Sequence, residues 1–232
     1  MTSFSHSSSE IRALFARLAP YYDRTNVWLS AGQHSAWKQE VIRRIHLPPG
    51  GRLLDIGAGT GDLAIKARQR YPQATIIGGD LTPEMLRQAQ CRAHGQRIRW
   101  LNTDAAHLPF PDNTFDAVMS GYLLRNVINN LAAVLREQYR VLKPGGYFVC
   151  LEATPPPARG LYWAVRFYIN YLIPLLGNLL TRQTSAYKYL SRSIMNFPPA
   201  EELATLMETT GFRSVGFETL MIHSMAIHWG QK

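Results

Sequence analysis

Apolar residues recur along this chain with two different periods, and the change from one to the other divides it. Over residues 10–46 the spacing is helical: Ile11, Leu14, Phe15 and Leu18 share one stripe. After a break at Pro20 the stripe resumes through Val27, Trp28, Leu29, Trp37, Val41, Ile42 and Ile45. Pro48-Pro49-Gly50-Gly51 ends that segment, and from Arg52 short apolar runs alternate with longer amphipathic ones. The pattern predicts strands near 52–56, 74–79, 97–101, 115–120 and 146–152, with helices near 61–70, 83–94 and 129–142. Such alternation calls for a parallel sheet with helices on both faces. Lys143-Pro144-Gly145-Gly146 reads as a sharp helix-to-strand turn.

Past Thr154 the rhythm breaks into three prolines and then an apolar stretch from Leu161 to Leu180, interrupted by Arg166, Asn170, Pro174, Gly177 and Asn178. A central arginine and a proline argue against a bilayer span. The stretch reads as a lid: plain core packing is one role, and a greasy wall for a long apolar substrate, or a surface dipping into lipid headgroups, is the other. A helix near 199–210, a Gly211-Phe212 turn and apolar segments at 212–219 and 221–228, able to pair as an antiparallel hairpin, complete the chain. The organisation is one domain over 1–232: a helical cap at 1–50, a core at 51–153, the apolar insertion at 154–199 and the closing helix and hairpin at 200–232.

Length supports this, since 232 residues suffice for one sizeable α/β core and are too few for two catalytic domains. A formal net charge of +9 points to an anionic surface nearby, nucleic acid or a membrane leaflet. Lys and Arg are scattered from Arg12 to Lys232 without a reading head, so no nucleic-acid partner is expected. Cys91 and Cys150 read as free thiols of a reducing compartment, and no grouping of His and Cys suggests a metal. The serine-rich start lacks a secretory pattern, so the expected place is cytoplasmic, with the inner face of the membrane as an option.

Candidate chemistry begins where the first strand stops on Gly57, Gly59 and Gly61. Glycines there permit turn geometries closed to other residues and let a ligand lie against the main chain. The next position, where a dinucleotide fingerprint wants a small residue, is Asp62, which would repel a pyrophosphate at the helix end and favour a cation. S-adenosylmethionine fits, with its sulfonium, its ammonium and no phosphate. A second strand ends on Asp80, a carboxylate placed for ribose hydroxyls or, alternatively, for capping the helix near Pro83.

Ligands in open α/β sheets lie beyond the carboxyl ends of the strands. The useful positions are therefore Asp55 to Asp62, Asp80 with Leu81, Asp104-Ala105 and Ser120 to Asn126. Asp104 is read as a partner for an adenine amine or as a turn cap. Arg125 is read as a stabiliser of oxyanion charge on an acceptor, or as a salt-bridged surface residue; Asn126 is read as its companion or as a helix N-cap. His107 sits in an apolar turn, more typical of a packed histidine than of a base. Tyr22 and Asp23 of the cap are placed to face the site.

Several of these motifs together resemble one family. They are Tyr22-Asp23 with Asn26, Leu29 to His34 with Trp37-Lys38, Leu54 to Asp62, Leu124-Arg125-Asn126-Val127, Arg140 to Gly146, and Tyr187 to Leu190 through Phe197-Pro198. In these the chain is similar to the ubiquinone/menaquinone biosynthesis C-methyltransferases, from about residue 11 to 228. The resemblance implies a Rossmann-like class I methyltransferase with a mostly parallel seven-stranded sheet. It implies methyl transfer from S-adenosyl-L-methionine, leaving S-adenosylhomocysteine, to a ring carbon of a prenylated quinol, without a metal. Family cofactor contacts fall on Thr60, Asp80 and Asp104-Ala105; a serine common after the fourth strand falls on Gly121, so that contact is lost or passes to Ser120.

Leu151-Glu152-Ala153-Thr154-Pro155 and Glu218 to His223 depart from the family pattern on the acceptor side. Arg125 is then expected to hold the developing phenolate, Asn126 to orient the ring and 161–180 to shelter the tail. The base is open among His107, Asp23, Tyr22 and an ordered water. Length and the short cap lean toward demethylmenaquinol or demethylphylloquinol over a benzoquinol. Another small apolar acceptor, or a non-catalytic module that binds S-adenosylmethionine, are the rival readings; the oligomeric state is left open.

Overall fold

The computed structural model describes residues 8–157, 160–181 and 183–232, so most of the serine-rich start lies outside the described residues. The strands are β1 (Arg52–Ile56), β2 (Thr75–Asp80), β3 (Ile98–Asn102), β4 (Phe115–Gly121), β5 (Leu142–Ala153), β6 (Arg213–Leu220) and β7 (Met225–Gln231). They form one sheet in the order β3-β2-β1-β4-β5-β7-β6, in which β7 alone runs against its neighbours. Successive strand residues feed opposite cores, as the two-residue period demands. Leu53, Met119 and Leu151 point into one core, and Leu54, Val118 and Cys150 into the other. Both faces are covered, so β1 is buried at every position after Arg52, Asp55 included, and shows no alternation of buried and exposed residues.

Helices α1 (Ser8–Leu18), α2 (Tyr22–Leu29) and α3 (His34–Arg44) form the cap. α4 (Asp62–Arg70), α5 (Pro83–Arg92) and α6 (Leu131–Val141) are the crossovers between parallel strands. A 3₁₀ segment over Leu124–Asn130 precedes α6, so that helix begins later than its apolar pattern suggests. β5 starts at Leu142, and Pro144-Gly145 forms an irregularity in the ladder where a clean turn was expected: Phe115 pairs with Leu142, but Ala117 pairs with Tyr147. The closing hairpin exists with its second strand displaced. Met221, Ile222 and His223 all take left-handed backbone, so the turn consumes residues expected in the strand.

The apolar insertion folds as α7 (Tyr162–Phe167), a π turn over Tyr168–Leu172, α8 (Ile173–Thr181) and α9 (Thr184–Met195); α10 (Ala200–Thr210) follows. Pro174 accounts for the wide turn, because it cannot donate to the preceding turn and its ring crowds the carbonyl there. Gly177 sets how closely α8 meets α9: a Cβ there would lie 2.1 Å from the Tyr187 ring.

Candidate active site

The glycine turn after β1 opens the main cleft, of about 980 Å³, at the carboxyl ends of the strands. Gly57, Gly59, Asp80, Leu81, Asp104, Ala105 and Gly121 all line it. Gly61 serves packing instead, since its φ is +82° and a Cβ would sit 2.5 Å from the Trp100 ring beneath the turn. Asp80 accepts the Gly59 and Thr82 N–H groups, each at 2.8 Å. Burial pushes its carboxyl up while these bonds pull it down. Both of its oxygens keep a lone pair for a ligand. Asp104 does cap its turn, accepting the Ala106 N–H at 2.9 Å, while remaining part of the cleft.

Four residues expected to contact the cofactor lie outside that lining: Asp55, Thr60, Gly61 and Ser120. Asp55 is fully buried in β1 and faces the Ala64 N–H without good hydrogen-bond geometry; burial pushes its carboxyl up to about 7. The Ser120 hydroxyl is buried and unpartnered. Thr60 belongs to a latch: its hydroxyl donates to Asp23 at 2.8 Å and accepts from Arg92 at 2.9 Å. Arg92 also reaches Asp23 at 2.9 Å and Asp62 at 3.3 Å.

The expectation that Asp62 receives a cationic ligand is corrected. Lys38 pairs with it at 2.8 Å. Burial alone would raise the Asp62 carboxyl, but Lys38, Lys66 and Arg92 hold it below the usual range. Its charge is already neutralised within the protein. Among the described lining residues Arg12 is the one cation; the rest are acids, amides, the hydroxyl-bearing Tyr22, Thr82, Thr103 and Tyr122, and apolar groups such as Met85, Val127 and Val134. That donor set fits a nucleoside carrying no phosphate.

Two apolar cavities adjoin the cleft. One, of about 600 Å³, lies between Trp37, the lid residues Ile169 and Ile173, Leu190 and Met225. The other, of about 450 Å³, lies between α1, α2 and α9. Tyr122 lines both the main cleft and the first cavity, Tyr22 lines the cleft and the second, and Arg125 lines both cavities.

Arg125 is no surface residue. Its Nε lies 3.4 Å from Glu152 Oε1, with both side chains almost wholly buried. Glu152 further accepts the Arg125 N–H at 3.2 Å and the Ala153 N–H at 3.0 Å. Arg125 Nη1 donates to Asn126 Oδ1 at 2.9 Å, and Asn126 Nδ2 donates to the Tyr122 carbonyl at 2.7 Å. The Tyr189 hydroxyl donates to the same Asn126 oxygen at 3.0 Å. Asn126 lies inside the 3₁₀ segment, so its N-cap reading is also corrected. Burial raises the Glu152 carboxyl against the pull of Arg125, and it raises the Tyr22 phenol.

His107 leaves the set of bases. Its side chain is 84% exposed, 3.5 Å from Asp104, and lines none of the three cavities. The backbone bridge between Asp104 and His107 turns the ring outward while Ala105, Ala106 and Leu108 bury themselves. From the sequence, Glu152, Tyr122 and Tyr189 stand out only as members of longer stretches with no role of their own, and Arg92 does not stand out at all. Glu152 was within reach of the strand-end rule, since it sits at the carboxyl end of β5.

A seven-stranded sheet of this order with a strand-end cleft defines the Rossmann-like methyltransferase class. A solved methyltransferase from Thermotoga maritima has the same fold, with a TM-score of 0.66, 20% identity and coverage of 95% of this chain and 99% of that one. The chain belongs to the ubiE/COQ5 methyltransferase family, whose family model matches residues 3–232. It is 45% identical to a ubiquinone/menaquinone biosynthesis C-methyltransferase from Desulfotalea psychrophila, over 96% of this chain and 90% of the relative. It is 39% identical to a demethylmenaquinone methyltransferase from Thermus thermophilus, over 94% of this chain and all of the relative.

Proposed function

We propose that this enzyme methylates a ring carbon of a prenylated quinol, demethylmenaquinol or demethylphylloquinol, with S-adenosyl-L-methionine as donor. The observation that carries the reading is the junction itself: Tyr122 lines both the strand-end cleft and the apolar cavity beneath the lid, Asn126 lines the cleft side of that junction, and Arg125 lines its apolar side. When bound, the donor supplies an electrophilic methyl group. Asp80 would hold its ribose, Asp104-Ala105 its adenine, and the Gly57–Gly59 turn would let it approach the main chain.

Everything else falls to the protein. Arg125, held in the interior beside Glu152, presents its guanidinium to the negative charge that develops on a ring oxygen. Asn126, fixed by Tyr189 and the Tyr122 carbonyl, orients the ring. Ile169, Ile173 and Leu190 shelter the tail. Burial keeps the Tyr22 phenol protonated, so a water beside it, and not Tyr22 itself, would take the proton of the quinol hydroxyl; Asp23 is committed to Arg92 and Thr60. Holding reacting atoms in near-attack geometry is worth roughly 7–11 kcal/mol of barrier.

Incubation of the protein with labelled S-adenosylmethionine and reduced demethylmenaquinone should give labelled menaquinone. Unchanged quinones in a strain lacking the gene would sink the acceptor assignment and favour another small apolar substrate.

A further inference from the structure

The lid carries two apolar rows. Val165, Ile169, Ile173 and Gly177 recur every fourth residue and turn inward, the first three buried and Gly177 against Tyr187. Trp163, Phe167, Tyr171, Leu175 and Leu179 recur at the same interval, two positions out of step, and stand 55% to 78% exposed. Two positions rotate a helix by over half a turn, so the rows occupy opposite faces. In a regular α-helix an every-fourth row drifts by about 40° per step. The π turn at 168–172 rotates less per residue and offsets that drift, which keeps the outer row on one side. A helix facing water alone would carry polar residues there.

A neighbouring helix adds further exposed apolar residues. α2 packs on α8 and leaves Val27 and Trp28 exposed. From Ala153 to Ala200 the chain has no Asp or Glu, while, among the described residues, the exposed Arg166, Lys188 and Arg192 supply cations. Among the described residues no helix is long and apolar enough to cross a membrane. The outer row spans about 24 Å at 1.5 Å per residue, a length suited to lying along a bilayer surface.

The geometry points to this face as one that beds into the headgroup region of an anionic bilayer, with the Trp163-to-Leu179 row entering the acyl boundary. A second copy of the chain would set like charges against each other, whereas an anionic leaflet complements them. The inference deepens the quinol reading and rests on it for why the enzyme meets a bilayer, since a prenylated acceptor dissolves there.

Co-sedimentation of the full chain with phosphatidylglycerol/phosphatidylcholine vesicles and with phosphatidylcholine vesicles tests it. Binding should favour the anionic vesicles and weaken as salt rises. The triple variant W163Q/F167Q/L179Q should bind at least about tenfold more weakly. The pair Arg166→Glu and Lys188→Glu should cost about tenfold, on anionic vesicles only. Both should keep the parent's unfolding midpoint and its turnover of a short-chain acceptor in detergent. Equal binding by parent and triple variant, no binding by either, or a dimer that the triple variant dissolves would overturn the inference. If vesicles bind as expected while no quinol is methylated, the acceptor reading fails and the surface stands.

Discussion

The sheet half and the helical half of this protein build their cavities by different means. The main cleft is framed by backbone at strand ends: the glycine turn, the Asp80 carboxylate fixed by two N–H groups, and the Asp104 turn. The cavities under the lid are framed by side chains brought from distant parts of the chain, with Tyr187 meeting Thr25 and Tyr189 meeting Asn126. The first arrangement is rigid because any shift breaks hydrogen bonds between strands and turns. The second is walled by apolar side chains such as Ile169, Ile173 and Leu190, which suits a site whose occupant is long and apolar.

Breaking each half separately should give different signatures. Arg125→Ala is expected to have the largest effect, lowering turnover by about a hundredfold to a thousandfold with cofactor affinity within about twofold. It also strands a buried Glu152, at roughly 3–5 kcal/mol of stability. The double variant R125M/E152Q should restore the unfolding midpoint without restoring turnover, and a rescue of both would remove Arg125 from the chemistry.

Gly61→Ala and Gly177→Ala make the same small change on opposite sides. Each should destabilise by about 1–3 kcal/mol through overpacking, against Trp100 and Tyr187 respectively. Calorimetry should find adenosylhomocysteine affinity lost in the first and retained in the second, with quinol turnover reduced in both. Identical binding defects would dissolve the distinction between the halves.

Asp55 gives the core a pH signature. Its folded-state value near 7, against 3.8 when free, means the folded protein binds the extra proton between those values. This group's contribution to stability therefore falls as pH rises from about 4 to about 7, by on the order of 4 kcal/mol. Asp55→Asn should remove that slope from denaturant midpoints measured at pH 5 and pH 8. Parallel profiles for parent and variant would show that Asp55 does not titrate there.

The smallest expected change is Asp23→Asn, which loosens the latch between cap and glycine turn. A partly exposed pair is worth about 0.2–1 kcal/mol. Cofactor affinity should then drop by no more than about fivefold.

The contrast between the halves also explains what could be read from residues alone. The five core strands, the positive-φ glycines and the placement of Asp80 and Asp104 depend on short-range periodicity and turn chemistry, and all are visible in the chain. Pairings that cross long loops are not. Lys38 lies 24 residues before Asp62 and Arg92 lies 30 after it, so nothing local reveals that the carboxylate is spoken for. The burial of Arg125 likewise depends on Glu152, 27 residues away. His107 was misjudged because its apolar neighbours bury themselves by turning it out.

Arg92 binds the Thr60 carbonyl and hydroxyl on the turn that frames the nucleoside cleft, and it binds Asp23 on the cap that closes over the acceptor. Filling one compartment and seating the roof of the other are thus parts of a single equilibrium. The expected consequence is reciprocal coupling: adenosylhomocysteine and a quinol analogue should each change the other's affinity by the same factor, which paired calorimetric titrations can read directly.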